Sequence, residues 1–245
     1  MFSDDIDWCK VQFAGLDRMK FVDNSNKNDA IGDFASMMHC KNNIIAYSTY
    51  SWWAAMLNPN MWRRFPRYTE PRYSRRALFF GRMNPYKGVD NLLEIAKKCP
   101  EIWFDVVGRV DPQVQELVDE LKKLPNVMMN NGYVTDEEMA KAFIKADWIV
   151  LPYNSATQSG VVIDGYRFGR PCIAFSVGAI AEQVCEGVSG YLIPEGNNAA
   201  FADKLRGAVC MSESEYKKMS QNAYEYGVKK YSAEGAIGRF MKLIS

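Results

Sequence analysis

From Ala77 onward, short apolar runs alternate with segments of helical period, and this alternation constrains the fold more than any other feature. Ala77–Phe80, Ile102–Val107, Val127–Asn130, Trp148–Pro152, Cys172–Phe175 and Tyr191–Ile193 read as strands. Between them lie the helical stretches Asn91–Lys98, Pro112–Lys123, Thr135–Ala146, a helix starting near Ser159, and Ile180–Glu186. Asn198–Met211, Glu213–Val228 and Ala233–Ile244 close the chain as helices. In Pro112–Lys123 the residues Val114, Leu117, Val118 and Leu121 fall on one face, and Thr135 and Glu138 have the spacing of a capping box. Strands separated by helices pair in parallel. The expected fold is therefore α/β: a six-strand, doubly wound, Rossmann-like parallel sheet that binds ligands at the carboxyl ends of its strands.

Residues 1–67 repeat the pattern on a smaller scale. Phe2–Ser3–Asp4, Lys20–Asp23 and Asn43–Tyr47 read as strand, with helices over Ile6–Phe13, Ala30–Cys40 and Ser51–Leu57. Three strands are few for an independent sheet covered on two faces, so this is read as a smaller, incomplete α/β unit that needs a partner surface. Between the two parts, residues 63–76 hold six arginines and two prolines with no periodicity. Such a stretch can bind phosphate or nucleic acid, but a solvated linker is the plainer reading. The expected division is 1–67, a linker over 68–75, and a domain over 76–245.

Composition removes several function classes. Lys+Arg 30 against Asp+Glu 29 gives no general attraction to nucleic acid or an anionic membrane. The six cysteines, at 9, 40, 99, 172, 185 and 210, show no CxxC and read as reduced thiols of a cytosolic protein. No apolar run approaches the roughly 20 residues of a spanning helix, and the N-terminus reads as lacking a signal peptide. His39 is the single histidine and reads as part of a helix end. No metal site is expected; Asp4–Asp5–Ile6–Asp7 reads as strand-end and cap carboxylates.

The polar signals collect at strand ends. Gly81–Arg82 closes the first strand of the larger domain and Lys87–Gly88 lies just before the next helix. Arg supplies a fork of donors and Lys a point charge, a pair suited to a diphosphate. Gly108, Gly132, Ser159–Gly160 and Gly178, with Glu182 behind it, follow the later strands. Glycine lets a ligand approach the backbone, although each one alone reads equally as a turn. Thr157–Gln158–Ser159–Gly160–Val161 begins a helix whose exposed amides suit a phosphate. Asp164, about one turn further on, suits a ribose or sugar hydroxyl; an ordinary helix cap is the alternative. Five glycines with a cationic pair favour a nucleotide diphosphate site.

From about Arg76 onward, "LFFGRMNPYKGVDNLL", "FDVVGR", "NVMMNNGYVTDEEMAKAFIKADWIVLPY" and "TQSGVVIDGYRFGRPCIAFSVGAIAEQV" resemble the donor-binding C-terminal half of glycosyltransferase family 4. That family contains GT-B enzymes that retain the anomeric configuration. The resemblance implies that Arg82 and Lys87 act on the donor diphosphate as the catalytic pair. It also implies donor contacts from Gly81, Gly108, Gly132, Tyr133, Val134, Gln158, Ser159, Gly160 and Val161, with Asp164 on the ribose. Two glutamates usually precede the Gly-Lys/Arg-Pro of this family. Their positions here hold Ala156 and Asp164, which leaves the contact to the transferred sugar to Gln158 or Ser159.

"FSDDIDWCK", "FVDN" and "CKNNIIAYSTYSWWAAMLNPN" resemble the C-terminal end of glycosyltransferase family 11, the α-1,2-fucosyltransferase type. This implies a second candidate site at Asp5, Ser48, Thr49 and Ser51, beside the alternative of a remnant that only packs. That family's arginine motif and acceptor half would precede Met1. The expectation is a glycosyltransferase, or the donor-binding half of one, using a GDP- or UDP-sugar without a cofactor. Its acceptor would be a glycan or lipid-linked glycan, with no nucleic acid, and a partner chain or second copy would supply the acceptor half. A cytoplasmic setting is expected, with peripheral placement at the membrane face as a variant. A non-catalytic nucleotide-sugar-binding module is the second reading.

Overall fold

The computed structural model describes residues 73–232, with Tyr68, Glu70, Pro71 and the scattered positions Asp7, Lys10, Val11, Ala14, Ser36 and Met37. The chain divides into two compact units, one of 1–65 together with 231–245 and one of Pro66–Lys230. Of the helices expected in 1–67, Asp7, Lys10 and Val11 of Ile6–Phe13 and Ser36 and Met37 of Ala30–Cys40 are described, and all five are helical. The strands and the third helix expected there, His39, the candidate site at Asp5, Ser48, Thr49 and Ser51, and the last helix, Ala233–Ile244, lie outside the described residues.

The larger unit is a parallel six-strand sheet: β1 Arg76–Phe80, β2 Trp103–Val107, β3 Val127–Asn130, β4 Trp148–Leu151, β5 Cys172–Phe175 and β6 Gly190–Ile193. Their order across the sheet is β3-β2-β1-β4-β5-β6, and every pairing is parallel. The helices are α1 Val89–Lys98, α2 Gln115–Lys122, α3 Asp136–Lys145, α4 Gly160–Arg167, α5 Ile180–Gln183, α6 Asn198–Val209 and α7 Glu213–Tyr231. This is the doubly wound, Rossmann-like arrangement that the alternation predicts.

Burial explains the strand sequences. All four residues of β4 (WIVL) and of β5 (CIAF) are buried, as central parallel strands covered on both faces must be. Edge strand β3 alternates between half-buried and exposed positions. The core is built on Phe79, Phe104, Trp148, Tyr166, Phe175 and Phe201. At the start of α3, Thr135 and Glu138 make both bonds of the capping box.

Two helices are shorter than their sequence patterns. Asp111 accepts from the Gln113 amide and turns Pro112–Val114 into a 3-10 start, so α2 proper begins at Gln115. Helix α5 stops at Gln183 because Val184 turns extended, and Glu186 bridges to Gly190 at the entrance to β6.

The described residues expected to form a linker are attached to this unit. Tyr73 stacks on Tyr216 with ring centres 4.7 Å apart and donates to the Val209 carbonyl at 2.7 Å. The Tyr68 hydroxyl lies 3.1 Å from the Ser220 hydroxyl, and Glu70 pairs with Lys217 at 2.9 Å. The fully buried Asp147 carboxylate accepts from the Ser74 amide, the Ser74 hydroxyl and the Arg76 amide, which fixes the chain's entry into β1. Among the described residues, no helix is long and apolar enough to cross a membrane.

Candidate functional site at the β1–β4 crevice

The strand order reverses between β1 and β4, so their following loops diverge and leave a crevice at the carboxyl end of the sheet. Sequence dictates how each loop is held. After β1, Gly81 takes φ +104°, and a Cβ on Gly108 would lie 2.2 Å from the Gly81 carbonyl oxygen. The β1 and β2 loops therefore meet backbone to backbone, and Met83 and Val110 extend the pairing beyond the strands. Arg82 reaches to the β2 side and pairs with Asp111 at 2.8 Å, with 61 % of its side chain exposed.

The turn Pro85–Lys87 ends at Gly88, whose left-handed φ of +66° brings the Lys87 side chain back over Gly81. Lys87 is only 9 % exposed. Its ammonium lies 3.5 Å from the Phe80 carbonyl and 5.1 Å from the centre of the Tyr153 ring. No carboxylate among the described residues pairs with it, and burial pushes its pKa down to about 8. Arg82 and Lys87, expected as a pair, thus differ: one is an exposed arm already on a carboxylate, the other a buried charge.

The β1 and β4 loops are stitched together. The Asn91 side chain donates to the Pro152 carbonyl at 3.0 Å and to Asn154 Oδ1 at 2.6 Å, while the Asn154 amide donates to the Tyr86 carbonyl at 2.8 Å. A Cβ on Gly88 would stand 1.8 Å from the Pro152 oxygen.

Across the crevice, Ser159 is the N-cap of α4 but makes no side-chain cap. Burial drives the pKa of the Tyr153 phenol upward, against the lowering influence of the nearby Ser159 side chain. A Ser N-cap ordinarily occupies one of the first helical amides. Here the first amides of α4 are left to other acceptors, at the positive end of the helix. Nothing stands within 4 Å of a Cβ added to Gly160, whereas Val161 reaches within 3.9 Å of one added to Gly81. Gly81, Lys87, Gly160 and Val161 therefore share one small region.

The remaining candidates are dispersed. Gly178 packs on the β4 loop, where its added Cβ would stand 1.7 Å from the Ala156 oxygen. Gln158 is exposed beside Ser159. Asp164 pairs with Arg167 at 3.0 Å, and burial pushes its carboxyl up against the pull of that partner. Gly132, the 92 % exposed Tyr133 and Val134 follow edge strand β3, two strands away from β1. No group of three or more His, Cys, Asp or Glu suited to a metal occurs among the described residues.

Sequence reasoning missed Gln183. This residue is 6 % exposed; its side-chain amide accepts from the Ser159 amide at 2.7 Å and donates to the Ser159 carbonyl at 3.1 Å. The only signal is a polar residue in the otherwise apolar helical phase of Ile180–Val184.

The family model for glycosyl transferases group 1 matches residues 74–209, and that for glycosyl transferase family 11 matches residues 1–71. The chain is 48 % identical over 58 residues to the O-antigen biosynthesis glycosyltransferase WbnK of Escherichia coli, covering 24 % of this chain and 19 % of that protein. It is 32 % identical over 146 residues to a phosphatidyl-myo-inositol mannosyltransferase of Mycobacterium leprae, 55 % of this chain and 37 % of that one. The chain thus spans less than half the length of either relative. A crystal structure of S. aureus TarM, in complex with fondaparinux, alpha-GlcNAc-glycerol and UDP, matches with a TM-score of 0.63 and 20 % identity. That match covers 74 % of this chain and 37 % of TarM, and at such identity it concerns the fold.

Proposed function

This chain belongs to the glycosyl transferases group 1 family, and from that premise we propose that its sheet unit binds a nucleotide diphosphate sugar in the β1–β4 crevice. It serves as the donor-binding half of a glycosyltransferase. Lys87 carries this reading: a buried ammonium without a carboxylate partner among the described residues lies beside the open start of α4. A buried charge is costly unless neutralised, and a diphosphate between Lys87 and the Gly160 and Val161 amides supplies the missing negative charge. The UDP bound to TarM supports a uridine diphosphate donor, and the GDP-mannose of a glycolipid mannosyltransferase of Xanthomonas campestris, 31 % identical over 119 residues, supports the guanosine alternative.

In this reading Arg82 leaves Asp111 for a phosphate, since an exposed ion pair holds its partner weakly. Lys87 and Arg82 then stabilise charge on the leaving diphosphate as the bond to the sugar breaks. Transfer with retention follows if the acceptor hydroxyl attacks the same face and gives its proton to a phosphate oxygen. Asp164 takes the ribose by exchanging Arg167 for a hydroxyl, and Gly132, Tyr133 and Val134 border the donor from the β3 side. Residues 1–67 and the segment 68–75 precede this donor domain of 76–245, with Asp5, Ser48, Thr49 and Ser51 as a second site. A glycan or lipid-linked acceptor, bound with a partner chain or second copy, completes the enzyme at the cytoplasmic face of a membrane. Ala156, which has no polar group for the transferred sugar, favours the second reading of a binding module without turnover.

Calorimetry with UDP, GDP and their sugar conjugates tests the site. Binding that weakens by about 1.5–3 kcal/mol in Lys87→Ala, the size of a charged hydrogen bond, supports it. Unchanged affinity in that variant rejects the role of Lys87. Donor hydrolysis, measured alongside, separates the enzyme from the binding module.

A further inference from the structure

We infer that Gln183 is a positioning residue for the donor site, setting the direction of the α4 amides through a two-bond clasp on Ser159. This rests on the reading that those amides meet a diphosphate. The clasp has an unusual form. Ser159 is extended, with φ −129° and ψ 119°, and the primary amide of Gln183 bonds both its N–H and its C=O. One side chain thus does what a neighbouring β-strand does for a residue in a ladder.

Gln183 is itself held firmly. Its own carbonyl accepts from the Tyr166 hydroxyl at 3.1 Å, and that hydroxyl lies 2.9 Å from the Ser189 hydroxyl. Tyr166 is fully buried. It lies seven residues after Ser159, two turns along α4 and on the same face. A single residue of α5 therefore grips α4 both at its N-cap and two turns in. Ser159 needs no local partner for its backbone, and its side chain lowers the pKa of the Tyr153 phenol, whose ring also faces the Lys87 ammonium. The Gln183 clasp thus fixes the residue that leads directly into the Gly160 and Val161 amides, and Val161 reaches within 3.9 Å of a Cβ added to Gly81, on which Lys87 rests.

An apolar residue of equal length would fill the same space but strand two buried backbone groups of Ser159. The segment would relieve them by rotating, and the amides of Gly160 and Val161, next in the chain, would turn with it. A glutamate would keep the acceptor for the Ser159 amide, lose the donor to its carbonyl, and add negative charge behind an anion site.

The test uses the full chain as wild type, Gln183→Met and Gln183→Glu, with UDP and GDP titrated calorimetrically and urea unfolding of the ligand-free protein recorded in parallel. Gln183→Met is expected to raise Kd by about tenfold or more, the equivalent of a lost hydrogen bond. Gln183→Glu is expected to raise it too, by a factor that shrinks as salt screens the added charge. A purely structural residue would lower the unfolding midpoint, leave Kd unchanged in Gln183→Met, and raise it in Gln183→Glu only by a part that salt abolishes; that result overturns the positioning role while leaving the donor site intact. Should Gln183→Met fail to fold, the rise in Kd that persists in Gln183→Glu at high salt decides alone: a persistent rise supports the positioning role and its absence overturns it. A wild-type chain that binds neither nucleotide overturns the donor site, and the positioning role with it.

Discussion

The Lys87 ammonium stands 2.7 Å from the point where a side chain on Gly81 would begin. The glycine is thus the floor on which the buried cation rests. Its φ of +104° is also closed to ordinary side chains. Gly81→Ala should cost about 1–3 kcal/mol in unfolding free energy and push the ammonium off the crevice, so that nucleotide affinity falls with stability. Preserved affinity in a folded Gly81→Ala protein would contradict this placement.

Lys87 itself should trade stability for binding. Its folded pKa, about 8, lies below the ordinary 10.5. The burden of the buried charge is therefore fully present below pH 8 and fades as pH rises toward 10.5. At neutral pH it amounts to about 3 kcal/mol. Lys87→Met should raise the unfolding free energy of the ligand-free protein by up to that amount while weakening diphosphate binding. Such opposition marks a site kept for function. Wild-type affinity should also decline above about pH 8, where binding must first return a proton to the lysine. A flat affinity profile from pH 7 to about 9.5 would count against the contact.

Two glycines separate folding from ligand approach. Gly178→Ala meets the Ala156 carbonyl at 1.7 Å with φ +48°, and should destabilise by about 3 kcal/mol or more. Gly160→Ala meets nothing within 4 Å and has an ordinary φ, so its stability should hold or rise by up to about 1 kcal/mol. If a phosphate comes against that amide, Gly160→Ala loses affinity without losing stability, as parallel melting and titration would reveal.

Within the sheet, Asp105 of β2 bonds Arg76 at 2.7 Å and Lys145 at 3.0 Å. Burial alone would raise its pKa, but the two cations together hold it below the usual 3.8. Its contribution is therefore present above pH 3.8 and lost as pH falls through the lower folded value. Asp105→Ala strands the largely buried Arg76 and should cost about 3 kcal/mol. Acid titration of unfolding should be correspondingly shallower in the variant.

The fold was legible because every strand from β1 to β6 carries its own apolar run and the helices between them keep period. The capping box at Thr135 and Glu138 needed only two residues three apart. Local chemistry of this kind is written in the sequence. Helix α5 ended early because the chain turns extended at Val184 and closes a tight turn from Glu186 to Gly190, which apolar period does not encode. The site was legible in its outline, as glycines and cations at strand ends. Its interior was not. Gln183 and Ser159 are 24 residues apart and Asn91 and Asn154 63 apart, and no periodicity announces a bond across such distances. Nor does sequence distinguish the buried Lys87 from the exposed Arg82, since burial depends on how the Pro85–Gly88 turn folds back.

The aromatic clasp on α7 bears on how such a chain can be cut and rejoined. Tyr68 and Glu70 fall within the stretch matched by the family 11 model, yet they grip Ser220, Tyr224 and Lys217 of α7, which follows the stretch matched by the group 1 model. The frontier between the two matched stretches, near 71–74, is therefore not a mechanical frontier. A graft that moved the group 1 portion alone, beginning at residue 74, would leave these holds behind along with the Tyr73 stack. A transplantable sheet unit must carry a short piece of its neighbour's sequence with it.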